Sequence, residues 1–337
     1  MTISVIQSTG KFVPPNVITN HDLEEMMDTS DEWIRKRTGI EQRYWIDQEG
    51  ETGASDLGYE ASVIALKRAG WTPQDLDFII FATLSPDIMF PGSGCLLQAK
   101  LGLDSTPALD IRQQCAGFLY GLATADAYIK TGMAKRILLV GGEVHSSGLD
   151  KSARGRNVAV IFGDGAAAVC IEGVETRKNA GVLASALHAD GHYAEALMTE
   201  LPASKFPFRL PEGVSFDDAR YFPVMDGLTI FKKAVRLLPE VIEESLKKAQ
   251  LDIDQIDLIV PHQANIRINQ ALAQFLNIDE DKIFHNIQKY GNTTAASIPL
   301  ALDEAIDQNR IGKSGDTTLF VGLGAGLTWG SVIYRFL

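Results

Sequence analysis

The sequence predicts an α/β protein in which one unit occurs twice, and two observations carry this prediction. Apolar strand-like runs alternate with amphipathic helical patterns along the whole chain, which is typical of a largely parallel sheet covered by helices. In addition, residues 65–80, ALKRAGWTPQDLDFII, align without a gap on residues 245–260, SLKKAQLDIDQIDLIV. Such self-similarity indicates an internal duplication.

The match between the two halves extends beyond this pair of segments. Two further pairs follow with small shifts in spacing: LQAKLGLD at 97–104 with LAQFLNID at 272–279, and ILLVGG at 137–142 with TLFVGL at 318–323. We therefore predict a first half at 1–172 and a second half at 173–337, each running helix, strand, helix, strand, helix, strand. The strand C-terminal ends of both halves should meet, and ligands of open α/β sheets usually bind there.

Composition and charge narrow the class of protein. The 337 residues are 45% hydrophobic and carry a net charge of -12, which argues against nucleic acid or an anionic membrane surface as the main partner. An anionic ligand must then meet local basic residues. The three cysteines fit neither a disulfide framework nor a metal site, and no signal peptide or long apolar run is present. We expect a cytoplasmic protein without metal, nucleic acid or membrane ligands.

Cys115 is the first candidate for chemistry. It follows the strand-like run TPALDIRQQ and precedes AGFLYGLATADAYIKTG, whose apolar residues recur at helical spacing. A cysteine at a helix N-terminus is favoured as the thiolate, which is the form that attacks acyl groups. The alternative is a buried structural cysteine. For Cys95 and Cys170 we expect packing in the core.

Two further candidates lie in the second half. His262 follows the strand-like run DLIVP, and the duplication places this strand end beside the corresponding end of the first half. We find no such setting for the other histidines, which are His21, His145, His188, His192 and His285. Asn292, in KYGNTTAASIPLALDEA, falls close to the counterpart of Cys115. An Asn there either caps a helix or donates a hydrogen bond to a developing oxyanion.

Two glycine-rich segments, FGDGAAAV from Phe162 and VGLGAGLTWGS from Val321, invite comparison with nucleotide-binding loops. Neither matches the dinucleotide or P-loop pattern. We instead expect close backbone approach near a site, with the turn at 324–326 supplying an N–H to an oxyanion.

Together these segments resemble the β-ketoacyl-acyl carrier protein synthase III family of the thiolase superfamily. The resemblance covers nearly the whole chain and rests on SDEWIRKRTGI from Ser30, CAGFLYGL, FGDGAAA, PHQANIRI, YGNTTAASIPLAL and GLGAGLTWGS. It implies a thiolase-like fold of five layers, αβαβα, with two mixed, mainly parallel sheets. It also implies a homodimeric acyltransferase that loads an acyl-CoA primer and condenses it with malonyl-acyl carrier protein, without a cofactor, in fatty acid or specialised lipid biosynthesis.

The resemblance also implies roles for individual residues. Cys115 would be the nucleophile, and His262 and Asn292 would promote decarboxylation of the malonyl thioester and stabilise the enolate. Backbone N–H groups of Cys115 and Ala325 would form the oxyanion hole. The CoA contacts would be Trp33, Arg37 and Arg156, with Arg154 a rival for the role of Arg156. Lys232 and Arg267 would dock the acidic carrier protein, and Phe90 would close the acyl pocket of the second subunit.

Departures from the family pattern bear on the primer. RQQ precedes the nucleophile where many relatives have small residues, Ala325 stands where they often have Gly, and MDGLTIF is atypical. The stretch 201–227 also looks longer than in simple members. We hypothesise a primer longer or bulkier than acetyl. Rival functions are a condensing enzyme that joins two acyl chains or uses a non-malonyl acceptor, a non-condensing acyltransferase and a silent subunit. A degradative thiolase is disfavoured because its second C-terminal Cys is missing.

Overall fold

Strands and helices alternate along the chain in the predicted manner. The structure, a computed structural model, describes residues 1–47, 50–215 and 217–337. Its strands are β1 Thr2–Phe12, β2 Asn16–Thr19, β3 Gln42–Trp45, β4 Phe78–Ala82, β5 Ala108–Ile111, β6 Arg136–Glu143, β7 Gly165–Glu175, β8 Gly181–Ala189, β9 Leu197–Met198, β10 Val224–Met225, β11 Leu258–Pro261, β12 Thr317–Gly324 and β13 Thr328–Arg335. Its helices are α1 Asn20–Met26, α2 Asp31–Thr38, α3 Ala54–Ala69, α4 Ser93–Lys100, α5 Gly117–Lys130, α6 Arg156–Ala159, α7 Gly227–Ala249, α8 Ile266–Leu276, α9 Ile287–Tyr290 and α10 Ser297–Asp307.

Two large sheets repeat one strand order, which confirms the internal duplication. The first sheet runs β1-β7-β6-β4-β5, and the second runs β8-β13-β12-β11. Where the first sheet has β5, the second has an isolated parallel bridge between Ile259 and Ile283. The predicted boundary between residues 172 and 173 falls inside β7, which pairs with β1 as far as Glu175. The connection to the second sheet comes after that residue, at 176–180.

Aligned residues also make the same local contacts in both halves. Asp77 receives a backbone N–H from Arg136 on its carboxylate at 2.8 Å and donates its own N–H to the Arg136 carbonyl at 2.9 Å. Asp257 has the same pair of contacts with Thr317, at 2.7 and 2.9 Å. Each Asp therefore fixes the start of one strand to the start of a neighbouring strand in its sheet.

The sheets are mixed, as predicted, but they are not mainly parallel. Among the described strands, β4 pairs in parallel with β5 and β6, and β11 pairs in parallel with β12. The pairs β1–β7, β6–β7, β12–β13 and β8–β13 are antiparallel. A short turn at 325–327 joins β12 to β13, and such a turn can join only antiparallel neighbours. The hydrophobic pattern identifies a buried strand without recording the direction of its neighbour.

Three buried clusters define the five predicted layers. Side chains of α5 and α10 fill the space between the sheets, where Phe118 and Phe320 meet edge to face at 5.7 Å. The other face of the first sheet is covered by α3 and α4, and the other face of the second sheet by α7 and α8. The order is helix, sheet, helix, sheet, helix. Both faces of the two large sheets are thereby covered, which accounts for the near-continuous apolar runs.

A smaller cap covers one end of this frame. It consists of α1, α2 and the antiparallel pair β2–β3, packed on residues 149–162. The sequence sets the bounds of α2, because Ser30 accepts the Trp33 N–H at its start and Gly39 adopts a left-handed φ of 80° at its end. The guanidinium of Arg43 is fully buried and donates to Asn20 and to the Val160 carbonyl. It holds the cap against the strand-end loops.

The stretch 201–227 lies within the second half, between β8 and α7. Its described residues form 3-10 turns at Pro207–Arg209 and Ala219–Tyr221, the short strand β10 and the start of α7. Phe216, within this stretch, lies outside the described residues, as do 48 and 49. At its end Asp226 accepts the Thr229 N–H and caps α7. No helix in the described ranges is long and apolar enough to cross a membrane.

A hydrogen bond between the two sheets gives a test of their packing. Ile6, at a bulge in β1, donates its backbone N–H to the Tyr334 hydroxyl of β13 at 2.7 Å, and both residues are buried. Tyr334→Phe leaves this N–H without an acceptor, so we expect the free energy of unfolding to fall by about 1–3 kcal/mol. Urea denaturation measures the loss. Tyr128→Phe removes a hydroxyl from a half-buried ring on the same core and is the control; equal stability of the two variants would contradict the role of the bond.

Candidate active site

Cys115 lies where the sequence predicts it, between a strand and a helix. β5 ends at Ile111, residues Gln114–Ala116 form a 3-10 turn, and α5 begins at Gly117. The thiol is buried. A Cβ on Gly117 would lie 3.1 Å from the Cβ of Ala82 and 3.2 Å from that of Ala295. The helix start is therefore pressed against a strand of its own half and against the second half.

The second half presents an equivalent turn to the first. Thr294–Ala296 form a 3-10 turn that leads directly into α10, as the turn around Cys115 leads into α5. Gln114 and Thr294, which correspond in the repeat, both have positive φ, at 44° and 49°. Positive φ is uncommon outside glycine and unfavourable for a β-branched residue. The two turns contact each other, so the duplicated helix starts form the floor of one site.

The structure makes the resting sulfur of Cys115 a thiol, which corrects the expectation of a thiolate. Burial, and then the charge of Glu143, raise the pKa of Cys115 from an ordinary 9.0 to about 12. A helix N-terminus is worth up to about 2 kcal/mol, or about 1.5 pKa units, so it does not outweigh burial. Three donors lower the pKa: the Thr294 hydroxyl and the backbone N–H groups of Cys115 and Ala325. The last two are the groups expected to form the oxyanion hole.

His262 follows β11 and is a neutral hydrogen-bond donor. Its Nδ1 lies 2.6 Å from Ser297 Oγ, which also accepts the Gln263 N–H at 3.4 Å. We assign the Ser297 hydroxyl hydrogen to Nδ1, which leaves the His262 proton on Nε2. This Nε2 is buried and has no protein partner in the described residues. Burial lowers the pKa of His262 to about 3, so the ring stays neutral.

Glycines of β12 allow His262 and Cys115 to approach each other. A Cβ on Gly322 would lie 3.1 Å from His262 Cβ and 3.6 Å from the Cys115 carbonyl oxygen. A Cβ on Gly324 would lie 2.7 Å from the Cys115 nitrogen. In the other glycine-rich segment, a Cβ on Gly163 would lie 2.3 Å from the Tyr290 carbonyl oxygen. The interpretation of both segments as places of close backbone approach is confirmed.

Asn292 joins the same site and also caps a turn. Its Oδ1 accepts the Thr294 N–H at 2.8 Å. Its backbone pairs with the FGDG segment, since it donates to the Ile161 carbonyl and accepts from the Gly163 N–H. With Oδ1 engaged, Nδ2 is the donor end of the amide. The two roles that the sequence leaves open for Asn292, cap and donor, are thus compatible.

Sequence reasoning missed three residues that contact this constellation. Ser297 orients His262, and His145 lies 2.8 Å through Nε2 from Thr294 Oγ1. Glu143 is buried at the end of β6 and accepts the Ala295 N–H at 3.3 Å. The expectation that His145 lacks the setting of His262 is wrong, because His145 follows the strand run ILLVGGE as His262 follows DLIVP. The signal was in the sequence. Ser297 gave none beyond its place in a helix start.

The cysteines outside the site divide between surface and core. Cys170 is fully buried in β7, as predicted. The prediction for Cys95 is wrong, because its side chain is exposed. The buried residues of α4 are Ser93, Gly94 and Leu97, so Cys95 lies on the opposite face of the helix.

The predicted CoA contacts form a cluster on the cap. The Arg37 guanidinium lies 4.7 Å from the Trp33 ring centroid, and that of Arg156 lies 5.9 Å from it. Arg154 points elsewhere: it pairs with Asp150 and Asp217 and does not join Trp33. The structure therefore brings Arg156 rather than its rival Arg154 to the aromatic ring.

The remaining predicted residues lie on the surface. Lys232 on α7 and Arg267 on α8 are exposed, and neither forms an ion pair with the described residues. The Asn265 amide donates to the Arg37 carbonyl at 2.9 Å, which joins the start of α8 to the end of α2. Phe90 is 73% exposed, next to the exposed Met89.

Comparison with known proteins agrees with this geometry. The family model described as 3-Oxoacyl-[acyl-carrier-protein (ACP)] synthase III matches residues 109–191, and its C-terminal model matches 246–336. The chain is 44% identical over 337 residues to the Beta-ketoacyl-[acyl-carrier-protein] synthase III of Natranaerobius thermophilus, covering 100% of both chains. The chain belongs to the 3-oxoacyl-[acyl carrier protein] synthase III family. The predicted family is confirmed.

Solved structures of synthase III enzymes share the fold. The crystal structure of the Aquifex aeolicus enzyme superposes with a TM-score of 0.88 at 42% identity, covering 100% of both chains. That of the Thermus thermophilus enzyme superposes with a TM-score of 0.89 at 39% identity, covering 99% of both. The thiolase-like α/β fold is confirmed, and the protein is a synthase III-type acyltransferase.

The burial of Cys115 predicts its reactivity with pH. Since the pKa is about 12, the thiolate fraction should rise about tenfold for each pH unit from 7 to 10. We expect the rate of alkylation by iodoacetamide, read at the Cys115 peptide by mass spectrometry, to rise in proportion without a plateau. The exposed Cys95 is labelled separately and serves as an internal control for reagent quality. A plateau below pH 8 would show instead a preformed thiolate.

Proposed function

We propose that this protein transfers the acyl group of an acyl-CoA to Cys115 and condenses it with malonyl-acyl carrier protein to give a 3-oxoacyl product. One observation carries the proposal. The first half supplies a buried thiol, and the second half supplies a neutral imidazole whose Nε2 has no partner among the described residues. Glycines of β12 hold the two at close range.

In the first step, the sulfur of Cys115 attacks the thioester carbonyl of the acyl-CoA. The developing oxyanion would receive hydrogen bonds from the backbone N–H groups of Cys115 and Ala325, which both lower the pKa of the Cys115 thiol. Collapse breaks the bond to the CoA sulfur. CoA leaves as a thiol with the proton that Cys115 lost, so one thioester replaces another.

In the second step, the malonyl carbon–carbon bond breaks and carbon dioxide leaves. The electron pair forms an enolate whose oxygen would be stabilised by His262 Nε2–H and the Asn292 amide. A neutral imidazole suits this role, because it donates a hydrogen bond without surrendering its proton. The enolate carbon attacks the Cys115 thioester, and the tetrahedral intermediate expels the Cys115 thiolate, which regains a proton from water. We propose that the chemistry uses no metal or redox cofactor.

Acyl-CoA would enter along the cap. Trp33, flanked by Arg37 and Arg156, offers a ring for the adenine and two cations for phosphates. Both rivals form ion pairs, Arg154 with Asp150 and Asp217 and Arg156 with Asp28. Because Arg156 lies over the Trp33 ring whereas Arg154 lies over Phe222, we propose Arg156 as the additional CoA contact. This cluster supplies the local positive charge that an acidic protein needs for an anionic ligand.

A homodimer would complete the acyl pocket. Exposed Ile88, Met89 and Phe90 form an apolar segment, and covering it with a second subunit would remove it from water. The stretch 201–227 approaches this segment, because the Arg209 guanidinium lies 5.9 Å from the Phe90 ring centroid. Sedimentation tests the dimer. We further propose a cytoplasmic location, which suits a chain with free cysteines.

The contact between the stretch 201–227 and Phe90 also supports a primer longer than acetyl. If Phe90 closes the acyl pocket, residues that touch it help to set the depth of that pocket. The half-buried Gln113 and Gln114 before the nucleophile are a second departure beside the site. Incubation with a panel of acyl-CoAs, read by intact mass, gives the preferred chain length. A strong preference for acetyl-CoA would contradict the long primer while leaving the mechanism intact.

Substitutions should separate the two chemical steps. In His262→Ala and Asn292→Ala, we expect acylation of Cys115 within a few-fold of wild type, because the donors to its oxyanion remain. Release of carbon dioxide from malonyl-acyl carrier protein should fall by about 100- to 1000-fold, as when one oxyanion donor is lost. Cys115→Ala, the control, should form no acyl adduct.

The outcomes of this experiment discriminate between functions. Acyl adducts that fail to map to Cys115 would refute the proposed nucleophile. Acylation without decarboxylation in the wild-type protein, with every malonyl donor, would indicate a non-condensing acyltransferase. Condensation of two acyl chains without malonyl would indicate the rival condensing reaction.

Charge reversal tests the docking of the carrier protein. In the double variant Lys232→Glu, Arg267→Glu, we expect the KM for malonyl-acyl carrier protein to rise about tenfold, a loss of about 1.4 kcal/mol of binding free energy. The KM for acyl-CoA should not change. Lys248→Glu reverses a charge at the other end of α7, where Lys248 pairs with Glu244, and is the matched control. A rise of equal size in the control would assign the effect to net charge instead.

A further inference from the structure

A chain of polar contacts reaches Cys115 from the loop that follows β6. His145 Nε2 lies 2.8 Å from Thr294 Oγ1. The turn that carries Thr294 contacts the turn that carries Cys115, and the Thr294 side chain lowers the pKa of the Cys115 thiol. His145 belongs to the first half and Thr294 to the second, so the chain crosses between halves twice. The proposed reaction gives neither residue a role.

The backbone conformation of Thr294 is unfavourable and is held in place by its neighbours. Its φ of 49° is strained for a β-branched residue. The strain is maintained by two contacts on adjacent backbone groups: Asn292 Oδ1 accepts the Thr294 N–H at 2.8 Å, and Glu143 accepts the Ala295 N–H at 3.3 Å. This strained turn places the Thr294 hydroxyl on the side of Cys115.

His145 is fixed firmly behind that hydroxyl. Its backbone N–H donates to Asp164 at 2.7 Å, and its ring packs on Phe162 with centroids 4.8 Å apart. The ring is buried, and burial lowers the pKa of His145 to about 3, so it remains neutral. The titratable groups on its own segment are Glu143 and Asp164, and Cys115 faces it across Thr294. A neutral ring at this place acts through its hydrogen bond and not through a charge.

We propose that His145 is a positioning residue for Cys115: its Nε2–H donates to Thr294 Oγ1, which turns the Thr294 hydroxyl hydrogen toward the sulfur and favours the thiolate. The proposal rests on Cys115 being the nucleophile. This relay of hydrogen bonds, from His145 through Thr294 to Cys115, would act when the thiol is deprotonated and again when condensation expels the Cys115 thiolate. It opposes burial and the negative charge of Glu143, which both favour the thiol.

The opposite tautomer of His145 would not serve this purpose. If Nε2 accepted the Thr294 hydrogen, the hydroxyl would have no hydrogen left for the sulfur. The relay therefore requires a donor at the place of Nε2. Gln in place of His145 carries an amide N–H at about that position, whereas Asn is too short to reach it and Phe has no donor.

Alkylation of Cys115 tests the relay without using the condensation reaction. The full-length protein and its variants are treated with iodoacetamide from pH 7 to 9, and the rate is read at the Cys115 peptide by mass spectrometry. We expect His145→Phe, His145→Asn and Thr294→Ala to react about tenfold more slowly at each pH, the effect of one charge-assisted hydrogen bond on the thiolate fraction. Thr294→Ser and His145→Gln, which keep the donors, should stay within about threefold of wild type.

The direction of the change separates a positioning role from a structural one. Loosening of the fold would expose the buried thiol and speed its alkylation, whereas loss of the relay slows it. Rates at or above wild type in His145→Phe or His145→Asn would overturn the proposal. If His145→Phe does not fold, the pair His145→Asn and His145→Gln decides the question. Failure of the proposed function is recognised separately, by acyl adducts that do not map to Cys115.

Discussion

The structure depends on the close contact between two strand ends and two helix starts at the interface of the halves. A Cβ on Gly141 of β6 would lie 2.5 Å from the Ala295 carbonyl oxygen. On β12, a Cβ on the corresponding Gly322 would lie 3.6 Å from the Cys115 carbonyl oxygen. Each half thus inserts its helix start against a glycine of the other. A larger residue at Gly141 would separate the halves, and the site exists only while they are together.

The same contact explains why the catalytic side chains are neutral. The groups at the interface lie in a low-dielectric region, where burial favours neutral forms. His262 and His145 are kept neutral, and Cys115 is kept as a thiol. In such surroundings a few hydrogen bonds are worth more than in water. Stabilisation of an enolate or of a thiolate by neutral donors is therefore the chemistry for which this interface is suited.

The sequence predicts the frame of this site better than its details. The repeat identifies the two halves and the strand before His262, because buried strands leave long apolar runs. It does not reveal that β13 and β7 run antiparallel to their neighbours, because side-chain periodicity carries no strand direction. It also misjudges the state of Cys115, since the depth of burial depends on both halves packing together. For His145 the sequence shows the preceding strand run, but not the partner Thr294, which lies far away in sequence and is joined to it only by the fold.

The repeat also shows why one half carries the nucleophile and the other does not. At the turn of the second half, the Ala295 N–H is taken by the carboxylate of Glu143, the last residue of β6. At the corresponding place on β12 stands Gly324, whose missing side chain leaves room at the Cys115 nitrogen, 2.7 Å from where a Cβ would be. An internal carboxylate therefore occupies one of the two equivalent anion positions, and the other is left for the oxyanion of a substrate. The duplicated scaffold offers two sites of this kind, and a change from Glu to Gly opens one of them.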